Sequence, residues 1–144
     1  MKGRLLKRLA DSSYKNIAWG TSFDEIKEMV EKHSEDEVTV NEEETIVYDF
    51  TENYQGFEGV NAIVIYKCNY VKELESVCLM LSNKNDSNYT DEMLYEGLTE
   101  MFSELYGEYE DKSYEKIWTT KKSTITIVYV MDGMFTVEYE AKRN

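Results

Sequence analysis

The stretch "STITIVYVMDGMFTVEYEA", residues 123–141, decides the fold. Two β-rich runs, "STITIVYVM" and "MFTVEYEA", are separated by Asp132-Gly133 alone, the strongest hairpin signal in the chain. A two-residue connection forces the flanking strands to run antiparallel. "KIWTT", just upstream, supplies a third strand of the same meander. Before it comes a helical pattern from about Asp91 to Tyr106. Thr90 stands at its cap, Leu94, Leu98, Met101, Phe102 and Leu105 form its apolar stripe, and Gly107 is its stop.

The same order occurs earlier in the chain. In "IAWGTSFDEIKEMVEK", residues 17–32, Ser22 and Glu25 make a capping box. Ile26, Met29 and Val30 then share one face of a helix reaching about His33, with Phe23 at its edge. "EVTV" and "ETIVYDF" follow as strands, the second placing Ile46, Tyr48 and Phe50 on one side. "VNAIVIYKCNY" and "LESVCLML" are β-rich enough for inner strands, while "ENYQGFEG" and "SNKNDSNYT" read as loops. Runs of strands after each helix favour an antiparallel sheet over βαβ crossovers. The expected architecture is one α+β domain spanning residues 1–144. Two helices pack on one face of a mostly antiparallel sheet of about seven strands, in two α-then-β halves. The other face is left open.

Composition bounds the rest. The chain of 144 residues has no proline and only seven glycines, so no linker divides it. The basic start "MKGRLLKRLADSS" reads as a lead-in helix over residues 1–15, with membrane-surface association through Lys2, Arg4, Lys7 and Arg8 as the lesser alternative. It lacks a signal-peptide apolar region, which leads us to expect a cytoplasmic protein. No run is long and apolar enough to span a bilayer. Cys68 and Cys78 fit no zinc pattern. A connection of about five residues between their strands would set them opposite each other, and a two-residue one would not; reduced thiols are expected.

Two segments resemble a known family. "WGTSFDEIKEMV" resembles the "G-[MT]-[ST]-x-x-x-[VI]" helix opening of the β-lactamase-inhibitor-protein-like domains, a group that includes small outer-membrane-assembly lipoproteins. Gly20 matches the tight turn, Thr21 and Ser22 the capping hydroxyls, and Ile26 the aliphatic residue that docks the helix. "LYGEYEDKSYEKIWTTKKSTITIVY" is similar to the second half of related bacterial envelope domains, through Tyr106, Gly107, Trp118, Ile125 and Ile127. The resemblance implies a helix-plus-antiparallel-sheet fold and protein binding across an exposed sheet face. It carries over no binding residue, because the inhibitor's target-contacting positions have no match here. The chain also has no lipobox cysteine near its start.

The formal net charge of −13 is unevenly spread. Residues 22–60 hold thirteen acids against two lysines, and residues 86–115 ten acids against one lysine. Glu92, Glu96, Glu100 and Glu104 recur every fourth residue and line the helix side opposite the leucines. Such a stripe is either a solvated face or a docking surface for a basic protein partner. Tyr54 and Phe57, between acids in "ENYQGFEG", either fold back over the core or stand out as aromatic anchors. Trp19 and Trp118 are expected in the core.

Chemistry is poorly represented. His33 is the single histidine, and phosphate-loop, G-x-S-x-G and H-E-x-x-H motifs are absent. "DSNYTDE" lacks both the spacing and the glycine of a calcium loop. An acidic chain is unsuited to nucleic acid, whose phosphates need a basic face. The function expected is a non-enzymatic protein-binding module without cofactor or metal, in its most concrete form an acidic inhibitor or immunity-type protein. The competing expectation is a structural or housekeeping domain whose acidity serves solubility; an enzyme ranks third.

Overall fold

The computed structural model describes residues 13–15, 17–34, 37–84 and 87–142. In chain order the elements are β1 (Ser13–Tyr14), β2 (Ile17–Ala18), α1 (Phe23–His33), β3 (Val38–Asn41), β4 (Ile46–Thr51), β5 (Val60–Cys68) and β6 (Leu74–Asn83). After these come α2 (Asp91–Tyr106), β7 (Glu110–Lys112), β8 (Glu115–Thr119), β9 (Ser123–Met131) and β10 (Met134–Ala141). The lead-in helix falls outside the described residues except at its end, where Ser13–Tyr14 pairs with Ile17–Ala18 as a small hairpin instead.

Both helices begin and end where local chemistry directs. Ser22 Oγ accepts the Glu25 amide at 3.3 Å, and Thr90 Oγ1 accepts that of Met93 at 3.1 Å, so each first turn has a donor satisfied. Helix α2 stops at Gly107, whose φ of 92° a side chain would resist, and whose carbonyl accepts Trp118 Nε1 at 3.1 Å. Ile26 and Val30 of α1, and Leu94, Leu98 and Phe102 of α2, are buried. Each contributes roughly 1.5–3 kcal/mol by leaving water.

The main sheet has eight antiparallel strands in the order β3-β4-β5-β6-β10-β9-β8-β7. The expected seven are joined by β7. That strand escaped sequence reading because "EDK" has no apolar alternation: all its residues are exposed at a sheet edge. Each half is a helix followed by a four-stranded meander, and the last strands of the halves, β6 and β10, pair at the centre. Helix α1 lies against β3 and β4, and α2 against β8, so each covers its own half. Asp132 and Gly133, with φ of 46° and 80°, form the expected two-residue turn of the final hairpin.

The Trp19-Gly20 turn ties the halves together. Trp19 Nε1 donates to Ser123 Oγ at 2.9 Å, while the Gly20 amide donates to the Leu74 carbonyl at 2.9 Å. Trp118 is fully buried and Trp19 partly so against the same core.

Candidate functional site

Alternation along the strands sorts the sheet into two faces. Val60, Ala62, Val64 and Tyr66 of β5, Val77, Leu79 and Leu81 of β6, and Phe135, Val137 and Tyr139 of β10 are buried in the core. The residues between them point the other way, to a face that neither of the described helices covers. Its pairings define rows running across the strands. One row reads Thr39, Tyr48, Ile65, Cys78, Glu138, Thr126, Ile117. The next reads Phe50, Ile63, Met80, Thr136, Val128, Glu115.

The face is lopsided. Its β4–β6 part is apolar, with Tyr48, Phe50, Ile63, Ile65 and Met80 adjacent. Its β10–β8 part is mainly threonine and glutamate. Ile63 keeps 39% and Met80 38% of its surface in water, unusual for large apolar side chains in the middle of a sheet. A shallow depression of about 430 Å³ lies at the β3 side, lined by Glu37, Thr39, Tyr48, Phe50 and Ile63. The middles of β5 and β6 therefore carry apolar side chains on both faces, while Asn61, Lys67, Ser76 and Ser82 keep the ends of the open face polar. The sheet edges are less inviting: β7 is short and charged, and β3 has four residues.

The side of β4 is the informative surprise. Ile46, Tyr48 and Phe50 do share one side, but it is the open one, and Val47 is the buried residue beneath α1. The signal was present in the alternation, whereas its direction relative to the helices was not.

The sequence-predicted site residues separate. Glu92, Glu96, Glu100 and Glu104 are all exposed on the outer side of α2, and none takes part in an ion pair among the described residues. Tyr54 is no surface anchor: it keeps 5% of its surface, and burial drives its hydroxyl well above the ordinary tyrosine pKa. Phe57 is half-buried, with its ring edge-on to Tyr89 at 5.5 Å and over Gly97 of α2. Both aromatics close the 52–59 loop onto the helix because their apolar area finds cover there.

The remaining reactive groups do not converge. Cys68 opposes Leu74 across a five-residue connection, while Cys78 opposes Ile65, so the cysteines point to opposite faces and are free. The connection has the five residues of the first expectation, yet the ladder from the Val60 and Asn83 pair to that of Lys67 and Ser76 does not oppose the cysteines, and a bulge between Lys67 and Cys68 displaces only the last pair. Burial pushes the Cys68 thiol up to about 11, and burial followed by the charge of Glu138 raises that of Cys78. Thiols shifted this way are poor nucleophiles near neutrality. His33 is exposed at the end of α1. Among the described residues, no group of three or more His, Cys, Asp or Glu side chains is placed to hold a metal ion. No described helix is long and apolar enough to cross a membrane.

One polar cluster that sequence reading missed is structural. Asp91, the first residue of α2, accepts from Asn83 Nδ2 at 3.1 Å, the Tyr129 hydroxyl at 2.9 Å and the Gly133 amide at 2.9 Å. The Asn83 bond does most to hold its carboxyl below the usual range; burial opposes it, and the weaker effects of the Tyr129 and Gly133 bonds add to the lowering. A scan against protein-family models, a search of curated proteins and a search of solved structures each found nothing that matches this chain.

Proposed function

We propose that the protein is a non-enzymatic protein-binding module that docks its partner on the open face of the sheet. The observation behind this reading is the half-exposed band Tyr48, Phe50, Ile63, Ile65 and Met80, contributed by three adjacent strands to one face. An apolar surface of this kind, rimmed by polar residues, is characteristic of interaction sites. The raised thiols and the isolated histidine weigh against catalysis. Membership of the β-lactamase-inhibitor-protein-like group is part of the proposal, supported by the two α-then-β halves and by Gly20, Thr21 and Ser22 before α1. So is a cytoplasmic inhibitor or immunity-type role, supported by the two free thiols and the net charge of −13.

A second reading rests on the exposed glutamates of α2: they dock a basic protein themselves, or only keep the chain in solution. The test compares tagged full-length chains bearing Ile63→Lys with Met80→Lys, or Glu96→Lys with Glu100→Lys, in capture experiments from source lysate at low and high salt. Docking on the sheet predicts a stoichiometric partner lost by the first pair and kept by the second. Loss by the second pair alone moves the site to α2. A folded wild-type chain with no partner at low salt refutes the binding role.

A further inference from the structure

The polar half of the open face specifies what kind of partner fits, given the docking site proposed above. Glu138 and Glu140 project from β10 in the centre of the sheet, and both are exposed. Their cross-strand neighbours on this face are Cys78 and Thr126 for Glu138, and Ser76 and Thr124 for Glu140. None of these is a cation, and neither glutamate belongs to an ion pair among the described residues. Lys67 shares a row with Glu140 through Ser76 but stands two strands away. Two acids thus sit beside an apolar band with no opposite charge in contact among the described residues.

We propose that the docking segment of the partner is cationic and amphipathic, placing aliphatic or aromatic side chains over Phe50, Ile63, Ile65 and Met80, and a lysine or arginine on Glu138 and Glu140. The spacing follows from the register. Ile65, Cys78 and Glu138 are consecutive in one row, and neighbouring strands lie about 4.8 Å apart, so apolar anchor and cation are separated by roughly 10 Å. A helix laid across the strands covers that distance in about seven residues, two turns. Apolar residues spaced three and four apart, followed by a basic residue one or two turns on, match the surface.

A second copy of the chain fits poorly. A two-fold pair brings the same patch against itself, and each copy carries a net charge of −13. It would bury or oppose glutamates of one sign with no cation to meet them. An anionic lipid surface is disfavoured for the same reason.

The test is selection from a displayed library of random peptides against the full-length protein, followed by anisotropy titration of the selected peptides. The expected sequences combine Lys or Arg with aliphatic or aromatic residues. Their affinity should fall by about tenfold or more with Glu138→Lys and Glu140→Lys, and on raising salt from about 0.05 to 0.5 M. Ile63→Lys should remove it, and Glu96→Lys with Glu100→Lys should leave it unchanged. Binding lost with Ile63→Lys but indifferent to Glu138→Lys, Glu140→Lys and salt would overturn the cationic partner while keeping the docking face. Indifference to all these face substitutions would overturn both. Failure to select any peptide overturns the proposal, as does a sedimentation equilibrium dimer that Met80→Lys dissociates.

Discussion

Replacing Asp91 by alanine removes three hydrogen bonds at once, from side chains of β6 and β9 and from the β9–β10 turn. Hydrogen bonds to a charged acceptor contribute roughly 1.5–3 kcal/mol when shielded. The carboxylate is partly open to solvent, so about 1 kcal/mol apiece is the realistic scale, roughly 3 kcal/mol together. For a chain of this length that corresponds to a loss of roughly 6–12 °C in melting temperature. Asp91→Asn retains a carbonyl acceptor of the same shape and should lose about half as much.

The pH dependence has a definite sign. The folded carboxyl titrates below its ordinary value, so the unfolded chain takes up a proton first as pH falls. The charge-dependent part of the Asp91 contribution is complete above the unfolded value of about 4 and is lost as pH drops through the lower folded value, leaving what a neutral acceptor supplies. The gap between circular-dichroism melts of wild type and Asp91→Ala therefore narrows as pH falls below about 4. A gap of less than about 2 °C at neutral pH, or one that widens on acidification, would refute the clip that Asp91 makes between α2 and the sheet.

Two other expectations concern packing and thiols. A Cβ on Gly97 would lie 3.1 Å from the Phe57 ring, so Gly97→Ala should change stability by less than about 1 kcal/mol, helix propensity offsetting the crowding. In a Phe57→Ala background the crowding is gone and the same substitution should stabilise by about 1 kcal/mol, a coupling that urea melts would detect. In the folded protein Cys78 should react with a thiol reagent before Cys68, and mild oxidation should form no bond between them. A two-dalton mass loss without dimerisation would contradict the register of β5 and β6.

Much of the architecture was legible from neighbours in sequence. Ser22, Thr90 and Gly107 set helix ends through hydrogen bonds and dihedral preferences acting within a turn, and Asp132-Gly133 did the same for the hairpin. β7 was invisible because an exposed, charged edge strand is held by pairing with β8 rather than by a pattern of its own. Of the candidate site residues, the α2 glutamates could be placed on a solvent face from helical periodicity alone. Tyr54 and Phe57 could not be assigned, since whether a loop aromatic turns inward depends on the space beside Gly97 and the neighbouring core.

Neighbours along the chain therefore set local features: element types, caps, turns, and the fact that Ile46, Tyr48 and Phe50 share a side. Tertiary structure alone decided which side that is. The pairing of β6 with β10 and the seating of α1 over β4 hide Val47, leaving Tyr48, Phe50, Ile63 and Met80 facing out beside Glu138. A period of two distinguishes the faces of a strand but does not say where the helices lie.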